Sequence, residues 1–384
     1  MILMGLALIV TGIVAVMAIW MSVVAMRFLG TLEHYPLPAE PPSVTTIVPA
    51  RNEQRNIARC VRGLTQQIYP NLRMVFVDDA SEDATGDILA RGAAKDDRIT
   101  VINTGGKPDD WNGKHYACFS GAQLAESKWL CFMDADTLAE PQCLERTVAF
   151  AEARGLDMLS LQPWYELHGL WERIMLPLSV APIMLIYPPG KVNDPTHPLS
   201  MANGQFILIR RSVYDAVDGH RAVKDRMMDD FPLAENVKGA GYRLMIVEGF
   251  DVMRVRLFAN LREIWGSALK AAVAITGGWR PTIIALIMNT IVNVLPPILL
   301  IIAVLTGNTP AIIILSLLMV AQLLYYGISR MMVHRIPPWS AVMFPIAGVL
   351  ISAMLLDGMI RVVRGGRILW KGRDVLGPPS LKQR

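Results

Sequence analysis

Hydrophobic and polar positions follow two different patterns along this chain. Between residues 44 and 255, apolar runs of strand length are separated by segments with helical spacing. Val44-Thr45-Thr46-Ile47-Val48 reads as a strand, and after Glu53 the residues Ile57, Cys60, Val61 and Leu64 fall on one helical face. The runs 72–77, 99–102 and 129–133 are three further strands, each preceded by a helix-compatible segment. Apolar strands alternating with helices predict an α/β domain with a mostly parallel, Rossmann-like sheet, whose ligand sites lie beyond the carboxyl ends of the strands.

The second pattern is uninterrupted apolarity. Residues 1–26 carry no charge and match the roughly 20 residues that a transmembrane helix needs. They lack the basic start and the small-residue cleavage site of a signal peptide, so a retained anchor is expected. Arg27 at its end favours a cytoplasmic carboxyl side. The segments 282–305 and 310–329 read as two more spans, and Arg330, His334 and Arg335 place the end of the second in the cytoplasm. The run 340–356 is shorter and contains Pro345. It is either a third span or a re-entrant segment, with the balance toward a full span although this would carry the basic residues that follow to the outside.

These patterns divide the chain into a transmembrane helix at 1–27, a linker at 28–42 stiffened by Pro36, Pro38, Pro41 and Pro42, an α/β domain at 43–255, an amphipathic interfacial helix at 256–280, a membrane region at 281–360 and a basic tail at 361–384. The tail holds seven Lys or Arg against Asp374, which suits a cytosolic or interfacial position beside anionic lipid. The apolar stretch 170–187 would line an acceptor groove or dip into the lipid surface.

Composition supports this division. Of 384 residues, 53% are hydrophobic and 18% charged, with a net charge of +4: too apolar for one soluble domain, too charged for bilayer throughout. Disorder, collagen and a disulfide-rich mini-protein are excluded. Cys60, Cys118, Cys131 and Cys143 form no CxxC pair and read as reduced core residues on the cytosolic side. No internal repeat is present, and a transporter is disfavoured because so few apolar segments leave little room for an inverted-repeat pathway.

The candidate chemistry stands at the strand ends. The first strand runs into Pro49-Ala50-Arg51-Asn52-Glu53, the second into Asp78-Asp79-Ala80-Ser81-Glu82-Asp83, and the fourth into Asp134-Ala135-Asp136. One carboxylate at a strand end is usually a turn or a helix cap, as Asp83 before Thr85 would be. Several that converge cannot be buried unpaired, which would cost a few kcal/mol each. They call for a cation: a divalent metal, Arg51 or Lys114. Asp134 and Asp136 supply hard oxygen ligands after an apolar strand, which suits Mg²⁺ or Mn²⁺ carrying a diphosphate. The tripeptide alone recurs by chance, and its weight comes from Asp78 and Asp79 at a neighbouring strand end. No GxxxxGK[ST] is present, so a P-loop NTPase is not supported.

Together these motifs resemble glycosyltransferase family 2, the inverting nucleotide-sugar transferases of GT-A fold. The matching residues are 48–53, Val77-Asp78-Asp79-Ala80-Ser81, Trp111-Asn112-Gly113-Lys114, Asp134-Ala135-Asp136, Asn203-Gly204-Gln205 before Arg210-Arg211, and 229–234. Within the family, the flanking membrane segments and Val192-Asn193-Asp194-Pro195 are most similar to bacterial enzymes that glycosylate lipids or isoprenoids, including hopanoid-associated and carotenoid glycosyltransferases. The resemblance implies that Pro49, Ala50, Arg51 and Glu53, with Asp78 or Asp79, hold the base and ribose of a UDP-type donor. It implies that Lys114 approaches the diphosphate, that Asp134 contacts the sugar nucleotide, that Asp136 with Asp134 holds the metal, and that Asn203 and Gly204 line the donor site.

By the same resemblance Asp230 is the general base, in the pair Asp229-Asp230. The plainer alternative, that both mark a helix amino terminus, is compatible with it. Processive members carry QxxRW beyond this point; here the region reads Leu261-Arg262-Glu263-Ile264-Trp265-Gly266. Only Trp265 matches, and it stays a candidate donor-site residue. The expected protein is a multi-pass enzyme of a bacterial-type inner membrane with a cytoplasmic catalytic domain. It moves one sugar from a nucleotide-diphosphate sugar to a lipid or isoprenoid hydroxyl, with a divalent metal and no nucleic-acid partner. The alternatives are a processive polysaccharide synthase or polyprenyl-phosphate glycosyltransferase, and a non-catalytic nucleotide-sugar-binding membrane protein. The pattern specifies neither the sugar nor an oligomeric state.

Overall fold

The fold is taken from a computed structural model, which describes residues 4–5, 8–9, 11–16, 19–20, 30–258, 260–276, 279–334, 338–363, 369–370 and 373–374. Arg27, Arg335 and most of the basic tail lie outside the described residues. The chain forms two units, one of residues 28–166 and 187–257, the other of residues 1–27, 167–186 and 258–384.

The first unit is built on eleven strands among the described residues: β1 (Gly30–Thr31), β2 (Val44–Ala50), β3 (Leu72–Asp78), β4 (Ile99–Asn103), β5 (Trp129–Met133), β6 (Thr137–Ala139), β7 (Met158–Gln162), β8 (Trp164–Tyr165), β9 (Phe206–Arg210), β10 (Leu244–Glu248) and β11 (Met253–Val255). Eight make one sheet in the order β1-β10-β7-β9-β5-β2-β3-β4, and β6, β11 and β8 make a second. All neighbours in the large sheet run parallel except β9, which is antiparallel to both β5 and β7. This is the mixed, mostly parallel sheet of a GT-A fold.

Both faces of the sheet are covered, which explains why its central strands are apolar on both sides. Every residue of β5 is buried. The helices α1 (Ile57–Thr65), α2 (Thr85–Ala93), α3 (Gly113–Gln123), α4 (Cys143–Ala153) and α5 (Asp230–Gly239) belong to this unit. Helix α3 packs closely because Gly121 faces β2: a Cβ there would stand 2.5 Å from Ile47 Cγ2. All four cysteines are buried and unbridged.

The second unit is helical. Among the described residues, three of its helices are long and apolar enough to cross a membrane: Thr282–Leu305, Thr309–Gly327 and Trp339–Arg361. The third includes the run whose crossing was left open by its short length. A further helix covers Leu261–Thr276 and another Leu170–Ile186. Apolar side chains point outward here, with Leu305 81% and Leu317 66% exposed, while the polar Gln322 is 1% exposed. In water this arrangement would be unfavourable; against hydrocarbon it is the stable one. A π-helical turn at Thr290–Val294 interrupts the first of these spans. Asn293 within it lies so close to Gly348 that a Cβ on the glycine would stand 2.6 Å from Asn293 Cβ.

Candidate active site

Sheet register sets the height of the acidic strand ends. Ala50 of β2 is level with Asp78 of β3, and Ile47 of β2 with Phe132 of β5. Asp134, two residues past Phe132, therefore leaves the sheet within one residue of the level of Asp78. Because β9 runs antiparallel to β5 with Phe206 opposite Met133, the turn Asn203-Gly204-Gln205 arrives where β5 ends, and Asp134 N donates to Gln205 O at 3.4 Å.

The loops after β2 and β3 are stitched to each other. Arg51 Nη1 donates to the carbonyls of Asp79 and Ala80 at 2.7 and 2.6 Å, and its Nη2 pairs with Glu82 at 3.0 Å. Asn52 and Ala80 both adopt left-handed backbone, φ 52° and 49°, and the loops exchange Asn52 N to Ser81 Oγ and Glu82 N to Asn52 Oδ1. Asp79 N donates to Ala50 O next to Pro49 at 2.8 Å. Asp78 Oδ1 accepts Ser81 N at 3.0 Å and its Oδ2 accepts Asn103 Nδ2 at 3.3 Å, while Asp79 Oδ1 accepts Thr104 Oγ1 at 3.4 Å. Glu53 Oε2 accepts from Asn56 Nδ2 at 3.0 Å. Asp83 Oδ1 accepts Thr85 N at 2.9 Å, a turn contact just ahead of α2, whose N-cap position is Ala84.

A second cluster gathers around Lys114. Asn112 caps α3 by accepting Lys114 N at 3.2 Å, which holds the lysine in the first turn. Lys114 Nζ lies 2.8 Å from Asp134 Oδ1 and 3.2 Å from Asp229 Oδ2. Burial opposes the lysine charge, but Asp134 and Asp229 outweigh it and raise its pKa well above the ordinary value. Asp229 precedes α5 without capping it, so its carboxylate is free of the helix-start role and faces Lys114. Burial would raise its pKa, yet Lys114, followed by His220, holds it well below the usual range.

Asp230 is placed by two backbone amides: Gly204 N donates to Oδ2 and Phe231 N to Oδ1, both at 2.9 Å. Burial, and then the charge of Asp229, push its pKa up to about 6. Two adjacent carboxylates are thus driven apart, one firmly ionised and one poised to take a proton, the pattern that separates acid–base roles in enzymes. Gly204 leaves room for this contact, since a Cβ there would stand 3.1 Å from both Asp230 Oδ2 and Lys114 Nζ and push one of them aside. Asn203 is fixed beside it, its N donating to Ser160 Oγ at 2.8 Å and its Oδ1 accepting Gln205 N at 3.1 Å.

Asp134 and Asp136 lie in the turn between β5 and β6, with Asp134 O accepting from Thr137 Oγ1 at 2.7 Å. Both are partly accessible, and their hard carboxylate oxygens fit Mg²⁺ or Mn²⁺. Trp265 belongs to the helical unit, where its indole N–H donates to Asp357 Oδ2 at 2.9 Å.

Several residues beneath the cluster were invisible to sequence reasoning. His115, Cys118 and His220 are buried, and the Cys118 thiol, the His220 ring and the Asp229 carboxylate offer ligand atoms within 4.8 Å of one another. Burial lowers the pKa of His115 to about 4. The one signal that could have found His220 is Asp218-Gly219 before it, a turn dipeptide with two positive φ angles, 58° and 42°.

Residues 45–218 match the family model for glycosyl transferase family 2. A 4,4'-diaponeurosporenoate glycosyltransferase of Staphylococcus haemolyticus (strain JCSC1435) is 26% identical over 252 residues, covering 64% of this chain and 65% of its own length. The protein of the same name from Staphylococcus aureus (strain USA300) is 26% identical over 253 residues, with 64% and 65% covered. The chain thus matches about two-thirds of the length of these curated relatives. Among solved structures, a mannosyltransferase from Pyrobaculum calidifontis in complex with GDP-mannose and Mn²⁺ shares the fold, with a TM-score of 0.54 at 16% identity over 93% of this chain and 97% of that one.

Proposed function

We propose that this chain, whose residues 45–218 are a glycosyl transferase family 2 domain, transfers a single sugar from a nucleotide-diphosphate sugar to the hydroxyl of a lipid or isoprenoid acceptor at a membrane, with inversion at the anomeric carbon. The observation that carries this reading is Asp230: a half-buried carboxylate positioned by two backbone amides, with its pKa raised to about 6 beside an ionised Asp229 and a lysine. Such a group is suited to general-base catalysis near neutral pH.

Asp230 takes the proton of the acceptor hydroxyl as that oxygen forms its bond to the anomeric carbon. The bond from the anomeric carbon to the diphosphate oxygen breaks, and its electron pair leaves with the nucleoside diphosphate. Lys114 supplies fixed positive charge on the donor side, where the leaving group gains negative charge. Asp134 and Asp136 would hold a Mg²⁺ or Mn²⁺ ion, which when bound offsets the diphosphate charge. The loops of Arg51, Asp78 and Asp79, with Pro49, Ala50 and Glu53, form a rigid rim suited to the base and ribose, and Asn203 and Gly204 would line the sugar end.

A lipid acceptor is favoured by the helical unit, with its three apolar helices, and by the relatives named for a carotenoid-type acceptor. The reading places the enzyme in a bacterial-type inner membrane with its α/β unit in the cytoplasm. The test uses purified full-length chain in nanodiscs with Mg²⁺ or Mn²⁺ and a membrane lipid extract. UDP-glucose, UDP-GlcNAc, UDP-galactose and GDP-mannose are supplied in turn, and nucleotide release and lipid mass are followed together. A lipid gaining one sugar mass is the expected outcome. Nucleotide-sugar binding without release under every condition would move the reading to a non-catalytic binding protein.

A further inference from the structure

We propose that His220, held by Tyr214, is a positioning residue that presents its Nε2–H to the Asp229 carboxylate and so fixes the Asp229–Lys114 pair beside the base. This rests on the reading of Asp230 given above. Hydrogen-bond arithmetic assigns the tautomer. The Tyr214 hydroxyl has one proton to give. It accepts from the His220 backbone N–H at 3.1 Å and stands 2.9 Å from His220 Nδ1, the one other partner it meets among the described residues. An Nδ1–H ring would strand the Tyr214 proton and turn a bare Nε2 lone pair toward the Asp229 carboxylate, so the geometry favours a neutral imidazole with its proton on Nε2 and Nδ1 as acceptor.

Nε2 is buried and makes no hydrogen bond, and it faces Asp229 Oδ2 at 3.7 Å. The same oxygen is 3.2 Å from Lys114 Nζ, so two donors converge on it from different elements. A separation of 3.7 Å is too long for a formed bond. Catalytic hydrogen bonds commonly tighten when substrate binds, and a movement of under 1 Å would close this one. The ring cannot swing away, being packed against Phe132 at 4.6 Å between centroids. Burial lowers the pKa of His220, against the opposing pull of Asp229 and with the help of Lys114, so the neutral tautomer is the expected form at neutral pH.

The turn before His220 serves this contact. Gly219 adopts φ 42°, and a Cβ there would fall 2.2 Å from Tyr214 Cζ. Only glycine lets the tyrosine lie under the His220 amide. The rival reading is a metal bound by Cys118, His220 and Asp229. An Nε2 that carries its proton is not a ligand, and the Lys114 ammonium already supplies the positive charge that Asp229 requires.

The test uses the full chain in nanodiscs, labelled with ¹⁵N-histidine. The His220 resonances, identified by their loss in His220→Leu, are expected to show protonated Nε2 and unprotonated Nδ1. In turnover, His220→Leu and Tyr214→Phe are expected to lose about 10- to 100-fold in kcat, the usual effect of removing an outer partner of an active-site group. Donor KM should stay within about threefold of wild type, and His220→Gln, which keeps an N–H donor, should recover most of the loss. An Nδ1-protonated or charged ring would overturn the proposal, as would wild-type kcat in His220→Leu, or stoichiometric zinc whose removal alters the His220 signals. The tautomer is read on the wild-type chain and its signals are assigned from either His220→Leu or His220→Gln, so one variant that does not fold leaves the decision intact. An Asp230→Asn variant with full activity would instead sink the parent reading and leave the tautomer result standing.

Discussion

Two polar clusters, one in each unit, are built in opposite ways. In the helical unit the polar side chains gathered around the π-helical turn are neutral and bonded chiefly to one another: Asn293 Nδ2 donates to Asn289 Oδ1 at 2.9 Å, Tyr326 Oη to Asn293 Oδ1 at 2.6 Å, and Asn289 Nδ2 to Ser352 Oγ and Gly348 O, both at 2.8 Å. In the α/β unit the half-buried cluster is ionic and uneven, with Lys114 shared between two acids and Asp230 left with a raised pKa. A satisfied neutral network pins helices together. A crowded charged cluster carries a stability penalty and gains a proton acceptor with a tuned pKa, the signature of a site that does chemistry.

The comparison is sharpened most by Lys114→Gln. Losing the Lys114 cation between Asp134 and Asp229 should lower kcat/KM for the donor by about 100-fold or more, as removal of one preorganised electrostatic contact does. The check is steady-state nucleotide release. Next is pH: Asp230 must be unprotonated to act, so kcat/KM should fall about tenfold per unit as pH drops below about 6. In Asp229→Asn, Asp230 loses the negative charge that helps raise its pKa, so the acidic limb should move to lower pH. Gly204→Ala crowds both Asp230 Oδ2 and Lys114 Nζ, and should cost roughly 10- to 100-fold in kcat by misplacing the base. The smallest effect belongs to the helical unit. Asn293→Ala should lower stability by about 1 kcal/mol, the scale of a hydrogen bond between membrane helices, with kcat unchanged. Turnover lost in Asn293→Ala at unchanged thermal stability would break the contrast.

Much of the α/β unit is legible in the sequence because strand, period and chemistry coincide. An apolar run such as 129–133 ending in two acids marks both a buried strand and its functional end. The antiparallel β9 is another matter. Its apolar residues predict a strand, but its place between β5 and β7, which delivers Gly204 to Asp230, is a long-range pairing that no local pattern encodes. Asp229 is a similar case: beside a helix start it reads as a cap, and only the fold reveals that it caps nothing and meets a lysine 115 positions earlier. His220 resembles any buried histidine until Tyr214 and Asp229 are brought to it. In the helical unit the long apolar segments are plain, whereas the π-helical turn at Thr290–Val294 is not, because Asn293 within it and Asn289 just before it find partners on other helices.

The central claim is that Asp230 removes the acceptor proton. The measurement that tests it most directly compares wild type with Asp230→Asn for nucleotide release and glycolipid formation, with donor affinity measured on the same preparations. The account predicts a loss of about 10²- to 10⁴-fold in kcat, the usual contribution of a general base, with donor binding within a few-fold of wild type. Turnover in Asp230→Asn equal to wild type would contradict it.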